Sequence, residues 1–186
     1  MATPPVTVDD LRSFLNLDVN DTTEDDELTA MLSAATEAVE ARVGPMVSRS
    51  ITDVVYGRNG LVTLRAPVIS VESMSWQGSA FDLTLLDVDL KSGVVSNPYG
   101  YSLGCWWWSS PGAAGIPFAV TYTAGRVPVP DSLKQATMIV AEQLWKTQRG
   151  PAPGQYGGST EQVYTGFLIP ARAEALMAPY ERLAFA

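Results

Sequence analysis

Apolar positions along the chain follow two different periods, and the change between them divides it. Leu11, Phe14 and Leu15 lie on one stripe of a short helix predicted over residues 7–16. Thr7 is placed to cap that helix, and Asp9 and Asp10 suit its positive end. A polar turn follows. A second helix is expected over residues 23–43, starting at Thr22 or Thr23, because Leu28, Met31, Leu32, Ala35, Val39 and Val43 recur at helical spacing. Gly44 and Pro45 stop it.

From Ser50 the period falls to two. Residues 51–56, a turn at residues 57–60 and residues 61–65 predict a hairpin. Residues 68–76 alternate, Gln77-Gly78 turns, residues 81–90 with Val94-Val95 supply further short strands, and residues 118–123 form the last. Short strands with close turns imply an antiparallel sheet.

The helical period returns at Asp131, which is expected to cap a third helix over residues 131–149 with Leu133, Ala136, Ile139, Val140 and Leu144 as its stripe. GPAPGQYGGST, residues 150–160, is a Gly/Pro-rich linker. Residues 161–186 form a C-terminal tail with a short helix from Pro170, carrying Leu176, Tyr180 and Leu183. The predicted class is α+β. Three core helices plus a C-terminal helix make a mainly helical bundle, with an antiparallel β insertion at residues 50–123. Residues 1–149 are the expected core.

Length and charge narrow the options. At 186 residues, 46% apolar and 17% charged, the chain has the balance of a globular protein with a proper core. The net charge of -8 is carried by residues 1–43, where ten acids face only Arg12 and Arg42. The remaining residues are neutral overall. Such a chain is poorly suited to grasping nucleic acid, which needs Lys and Arg clusters. The simplest account of the acids is a solvated helix face. With no secretory signal pattern and no apolar run near 18 residues, the product is expected to be assembled from the cytosol, without a membrane.

Candidate chemistry is sparse. The sequence has no histidine, which removes imidazole-based nucleophile activation and histidine metal sites. The sole cysteine, Cys105, cannot close an internal disulfide. Residues 100–104 match G-x-S-x-G, yet that motif depends on a histidine base and a following helix, and Cys105-Trp106-Trp107-Trp108 does not open one. Residues 18–29 resemble a calcium loop but place Thr23 and Thr29 where Gly and Glu are required. No catalytic, metal or cofactor site is expected. A hydrolase using paired carboxylates is the enzymatic alternative, and nothing selects a pair.

Two features ask for a partner surface. Trp106, Trp107 and Trp108 are too much apolar area to leave exposed together, and alternation in a strand would put Trp107 opposite the other two. They either fold onto their own sheet or anchor in a neighbouring subunit. The tail either folds back on its own domain or, the reading adopted, reaches to another chain. The candidate subunit or partner interface is therefore Trp106, Trp107, Trp108, Phe167, Leu176, Tyr180 and Phe185.

Four segments in order carry a resemblance. Residues 6–15 (VTVDDLRSFL), the acid-started helix with Asp25-Asp26-Glu27-Leu28 and then residues 34–40, the stretch Ala66-Pro67-Val68-Ile69-Ser70-Val71, and residues 120–125 followed by Val129-Pro130 and residues 133–136 are together similar to tailed-bacteriophage head–tail connector (adaptor, or head-completion) proteins. The four segments span residues 6–149; the three tryptophans and the C-terminal tail are not part of the pattern they form. The resemblance implies a non-enzymatic virion protein of the neck, assembled in the host bacterial cytoplasm. Family adaptors form a homo-oligomeric ring, commonly a dodecamer, beneath the portal protein; the ring extends the DNA channel and docks the downstream neck or tail protein. DNA would pass without specific binding, and Asp25, Asp26 and Glu27 are candidate channel-facing acids that would repel phosphate. The alternatives are a tail-side completion or terminator subunit and a generic protein-binding module using the tryptophan segment.

Overall fold

The computed structural model describes residues 3–18, 20, 22–57, 61–96, 116–149 and 169–181. The chain divides into two compact units, residues 1–46 with 128–186, and residues 47–127. Among the described residues, the α-helices belong to the first unit and the two sheets to the second.

Helix α1 spans Val8–Phe14 and opens with a capping box. The Thr7 Oγ1 accepts from the Asp10 N–H at 3.1 Å, and the Asp10 carboxylate accepts from the Thr7 N–H at 2.9 Å, so two otherwise orphaned donors are satisfied. The helix is shorter than residues 7–16, because Asn16 takes a left-handed φ of 57° that a helix cannot continue. Helix α2 spans Asp25–Val43. It starts later than the expected Thr22 or Thr23: Glu24 holds the cap position without a capping bond from its side chain, and the Asp25 N–H donates to the Thr22 carbonyl in a preceding turn. Gly44, at φ 83°, ends α2 as anticipated.

Helix α3, Asp131–Arg149, and α4, Ala171–Met177, complete this unit. Its core is the predicted stripes brought face to face: Leu28, Leu32, Ala35 and Val39 of α2 against Leu133, Ala136 and Val140 of α3, with Leu11, Ala173 and Met177 sealing it. Each buried leucine contributes about 1.5–3 kcal/mol by leaving water. Thr36 and Thr137 are buried in the same core. Their hydroxyls donate to the carbonyls of Leu32 (2.6 Å) and Leu133 (2.9 Å), one turn back, so no polar group is stranded. Of the two readings of the tail, residues 169–181 take the intrachain one, with Ala173 and Met177 fully buried among their own helices.

The β unit departs further from expectation. Its described strands are β1 (Arg49–Gly57), β2 (Leu61–Thr63), β3 (Val68–Trp76), β4 (Ser79–Ala80), β5 (Asp87–Asp89), β6 (Val94–Ser96) and β7 (Ile116–Ala124). They form two antiparallel sheets, in the orders β1-β7-β3-β4 and β2-β6-β5, not the single sheet predicted. The hairpin between residues 51–56 and 61–65 does not form: β1 pairs with β7 and β2 with β6. Length decides this. β1 and β7 match over nine consecutive pairs, whereas β2 offers only three residues. The predicted strand over 81–90 is broken by a 3-10 turn at Leu83–Leu85, started by Asp82, whose carboxylate accepts from the Thr84 N–H at 3.0 Å. The Gln77-Gly78 turn is as predicted, with both residues at positive φ joining β3 to β4.

Phe118, Val120, Tyr122 and Ala124 of β7 point inward and are all buried, packing with Val62, Val68, Met74 and Val95 from both sheets. Gly125 follows at φ 135°, and a Cβ there would lie 2.6 Å from the Ser48 backbone; the close parallel approach of Val47 and Arg126 requires glycine. The Tyr122 hydroxyl ties three segments. It donates to the Asp53 carboxylate on β1 at 3.0 Å and accepts from the Arg65 N–H beyond β2 at 3.2 Å, while Arg65 Nε lies 3.1 Å from the same carboxylate.

Burial pushes the Tyr122 phenol above its ordinary value of 10.0. A raised value means that the neutral phenol's contribution to stability is complete below pH 10.0 and is lost as pH rises through the folded-state value. Tyr122→Phe is expected to lower unfolding free energy by about 1–2 kcal/mol at neutral pH. In urea titrations the gap between the two proteins should narrow above pH 10.0. Parallel pH profiles would show that the phenol does not titrate as a buried group.

Candidate functional site

The acid-rich segment converges on one cation. Arg12 on α1 is buried, with its side chain only 3% exposed, and the cost of desolvating a guanidinium requires close partners. Asp9, one turn earlier, supplies one at 2.7 Å from Nη1; Asp25, the first residue of α2, supplies another to Nη2. The ion pair thus pins the start of α2 to α1. Leu28, one turn into α2, is buried in the helical core.

This separates the three candidate channel acids. Asp25, Asp26 and Glu27 all lie in the first turn of α2, where negative charge suits the helix end. Asp25 is committed to Arg12. Asp26 is exposed and Glu27 half-buried. Asp10 is held below its usual carboxylate range by the hydrogen bonds from Thr7. Asp18 accepts from the Asn20 N–H at 2.9 Å in a local turn, which is how the calcium-like stretch is used. Sequence reading missed the role of Arg12; its signal was a lone base among acids, one residue from the apolar stripe.

Leu176 and Tyr180, predicted at an interface, are partly buried against the helical core of their own chain. Ser132 Oγ donates to the Tyr180 hydroxyl at 3.3 Å. Arg42, at the end of α2, pairs with Glu174 on α4 at 3.0 Å and with Glu181 at 3.7 Å, which fastens the C-terminal helix. Trp106, Trp107, Trp108, Phe167 and Phe185 lie outside the described residues, as do the G-x-S-x-G stretch and Cys105. Among the described residues, no three metal-ligating side chains gather, and no helix is long and apolar enough to cross a membrane.

The β unit presents a second surface. On β1, Ser50, Thr52, Val54 and Tyr56 form an exposed row, flanked across the ladder by Ala119 and Thr121 of β7. Val54 and Tyr56 are 63% and 67% exposed, the largest apolar exposures in this sheet. Thr52 and Thr121 are joined by their hydroxyls at 3.1 Å.

The profile of the head completion protein (HCP) family matches residues 6–183. The chain belongs to that family, a phage head–tail connector class, as the sequence resemblance implied. Among solved structures, it is similar to a chain from the neck of an empty GTA particle computed with C6 symmetry. The TM-score is 0.64 and the identity 20%, covering 100% of this chain and 95% of that one, so the two share a fold. No curated protein sequence matches.

Asp25→Asn should cost about 1–3 kcal/mol, because it leaves a buried guanidinium short of a charged acceptor. Asp26→Asn, at an exposed position, should change stability by less than about 0.5 kcal/mol. Thermal or urea unfolding of the two variants separates them; equal effects would mean that the ion pair does not anchor α2.

Proposed function

We propose that this protein is a structural, non-enzymatic head–tail connector of a tailed-phage virion. Twelve copies form a ring beneath the portal protein, extending the DNA channel and docking the next neck or tail protein. Assembly takes place in the host cytoplasm. The observation that carries the reading is the family match across nearly the whole chain, residues 6–183. The absence of histidine and the charge distribution support it: such a part needs surfaces, not a nucleophile, and an acidic rim lets DNA pass without sticking.

Mass photometry of the protein with portal rings of the same phage tests this. Twelve copies of a 20.0 kDa chain should add about 240 kDa to the portal peak, following closed cyclic symmetry. No shift with folded protein would turn the assignment to a tail-side completion subunit or a binding module.

Asp26, the exposed acid of the first turn of α2, is the one proposed to face the channel. Neutralising it, as Asp26→Asn, should slow DNA ejection while leaving the ring intact. Ejection at the parental rate would remove the electrostatic role.

A further inference from the structure

We infer that on assembly the C-terminal segment of each subunit, residues 169–181, leaves its own helical unit and docks at the same place on a neighbouring copy. The inference rests on the ring reading above and supplies it with a contact. The segment is α4 with the 3-10 turn Ala178–Tyr180 that follows it. Seven helical residues without a side-chain cap do not hold a helix in water, so α4 keeps its form only where it is docked. That dock is self-contained. Ala173 and Met177 enter the core, Ile169, Leu176 and Tyr180 pack against it, and the helix lies chiefly on α3. Two polar contacts set its direction. Arg42 Nη1, near the end of α2, meets Glu174 at 3.0 Å and Glu181 at 3.7 Å; Ser132 Oγ, near the start of α3, donates to the Tyr180 hydroxyl at 3.3 Å. Every copy of the chain offers this dock, and every copy's α4 fits it.

The connection is longer than a return to its own unit requires. The segment is fastened where α2 stops and α3 starts, while the chain leaves α3 at the other end, Arg149. A helix the length of α3 rises about 28 Å, a distance that roughly eight or nine extended residues cross. Residues 150–168 number 19. Fully extended, such a connection reaches about 65 Å, twice the roughly 33 Å width of a compact unit of about a hundred residues. Exchange costs the dock nothing, because helix and cradle are unchanged. Opening is opposed by two fully buried side chains and by ion pairs whose groups are 42% and 45% exposed, and therefore screened. In the isolated chain, its own α4 prevails by effective concentration. Beside neighbours held on a portal, another copy's α4 has the same advantage. Helix and cradle are different surfaces, so each subunit gives one and receives one, head to tail, and the exchange closes by rotation.

Crosslinking of the full chain tests this, with Cys105→Ser removing the only native thiol. Arg42→Cys with Glu174→Cys puts one thiol on the cradle and one on α4. Ser132→Cys with Glu181→Cys does the same while keeping the Arg42–Glu174 pair, and replaces the first variant if that one fails to melt like its parent. A short bismaleimide is applied to the isolated protein and to rings assembled on portals. The expected products are an intrachain-linked monomer from the isolated protein and, from the rings, a ladder of covalent multimers with the intrachain product reduced at least fivefold. Rings that keep the intrachain link undiminished overturn the exchange and leave the ring reading intact; a parental chain that forms no ring ends both. As a second arm, Arg42→Glu and the double variant Glu174→Arg with Glu181→Arg each set like charges across the dock. An equimolar mixture restores opposite charges only between chains, and should assemble at least fivefold better than either variant alone. A mixture no better than its components overturns the proposal.

Discussion

Strand β7 is the constraint on which the β unit depends. It is paired on both sides, by β1 over nine residues and by β3 over a bulged ladder, so its register is fixed twice. A slip of one residue would turn Phe118, Val120 and Tyr122 to solvent and expose the core shared by both sheets. Everything near it follows. The nine-residue match captures β1 from its sequence neighbour β2, which then completes the smaller sheet with β6 and β5. Tyr122, held inward by the same alternation, is brought within reach of Asp53 and Arg65. Gly125 lets the chain leave β7 against Ser48 without a Cβ in the way.

The helical unit rests on a different kind of constraint. Its apolar stripes would pack without Arg12, yet burying that guanidinium makes the entry of α2 specific: only an acid at the first helical position meets the cation left by α1. Buried ion pairs add little net stability over an apolar substitute, but breaking one is costly. The acids of residues 1–43 therefore divide into two kinds. Asp9 and Asp25 are counter-ions of the buried Arg12, and Asp10 serves a cap; Asp26 is a surface charge. Net charge alone does not make that distinction, and geometry does.

Much of this was legible in the sequence. The α2 and α3 stripes named the helical core almost residue for residue, Thr7 was identified as a cap, and Gly44 as a stop. Those signals are local, set by the 3.6-residue period and by backbone groups within one turn. Strand pairing is not local. Residues 51–56 and 61–65 had the composition and turn spacing of a hairpin, and only the presence of a nine-residue competitor sixty residues later decided otherwise. Arg12 was hidden for a related reason: a lone base at an exposed-looking helix position gives no hint of the carboxylate that meets it thirteen residues on. Leu176 and Tyr180 were read as interface residues because a Gly/Pro-rich stretch precedes them; the core contacts of Ala173 and Met177 hold that helix on its own chain.

Charge and its absence occupy different elements here, and that separation bears on the ring role proposed above. A subunit handling DNA must not bind it, while it must bind its own copies. Carboxylates oppose the first at any orientation within a Debye length, because repulsion is long-ranged. Self-association requires short-ranged, directional contacts. In the proposed ring, a negative excess on α1 and α2 beside an uncharged β1 row would keep the two demands from interfering. A charge on that row would weaken assembly by like-charge repulsion between identical copies, and an apolar helix entrance would give passing DNA no barrier to adsorption.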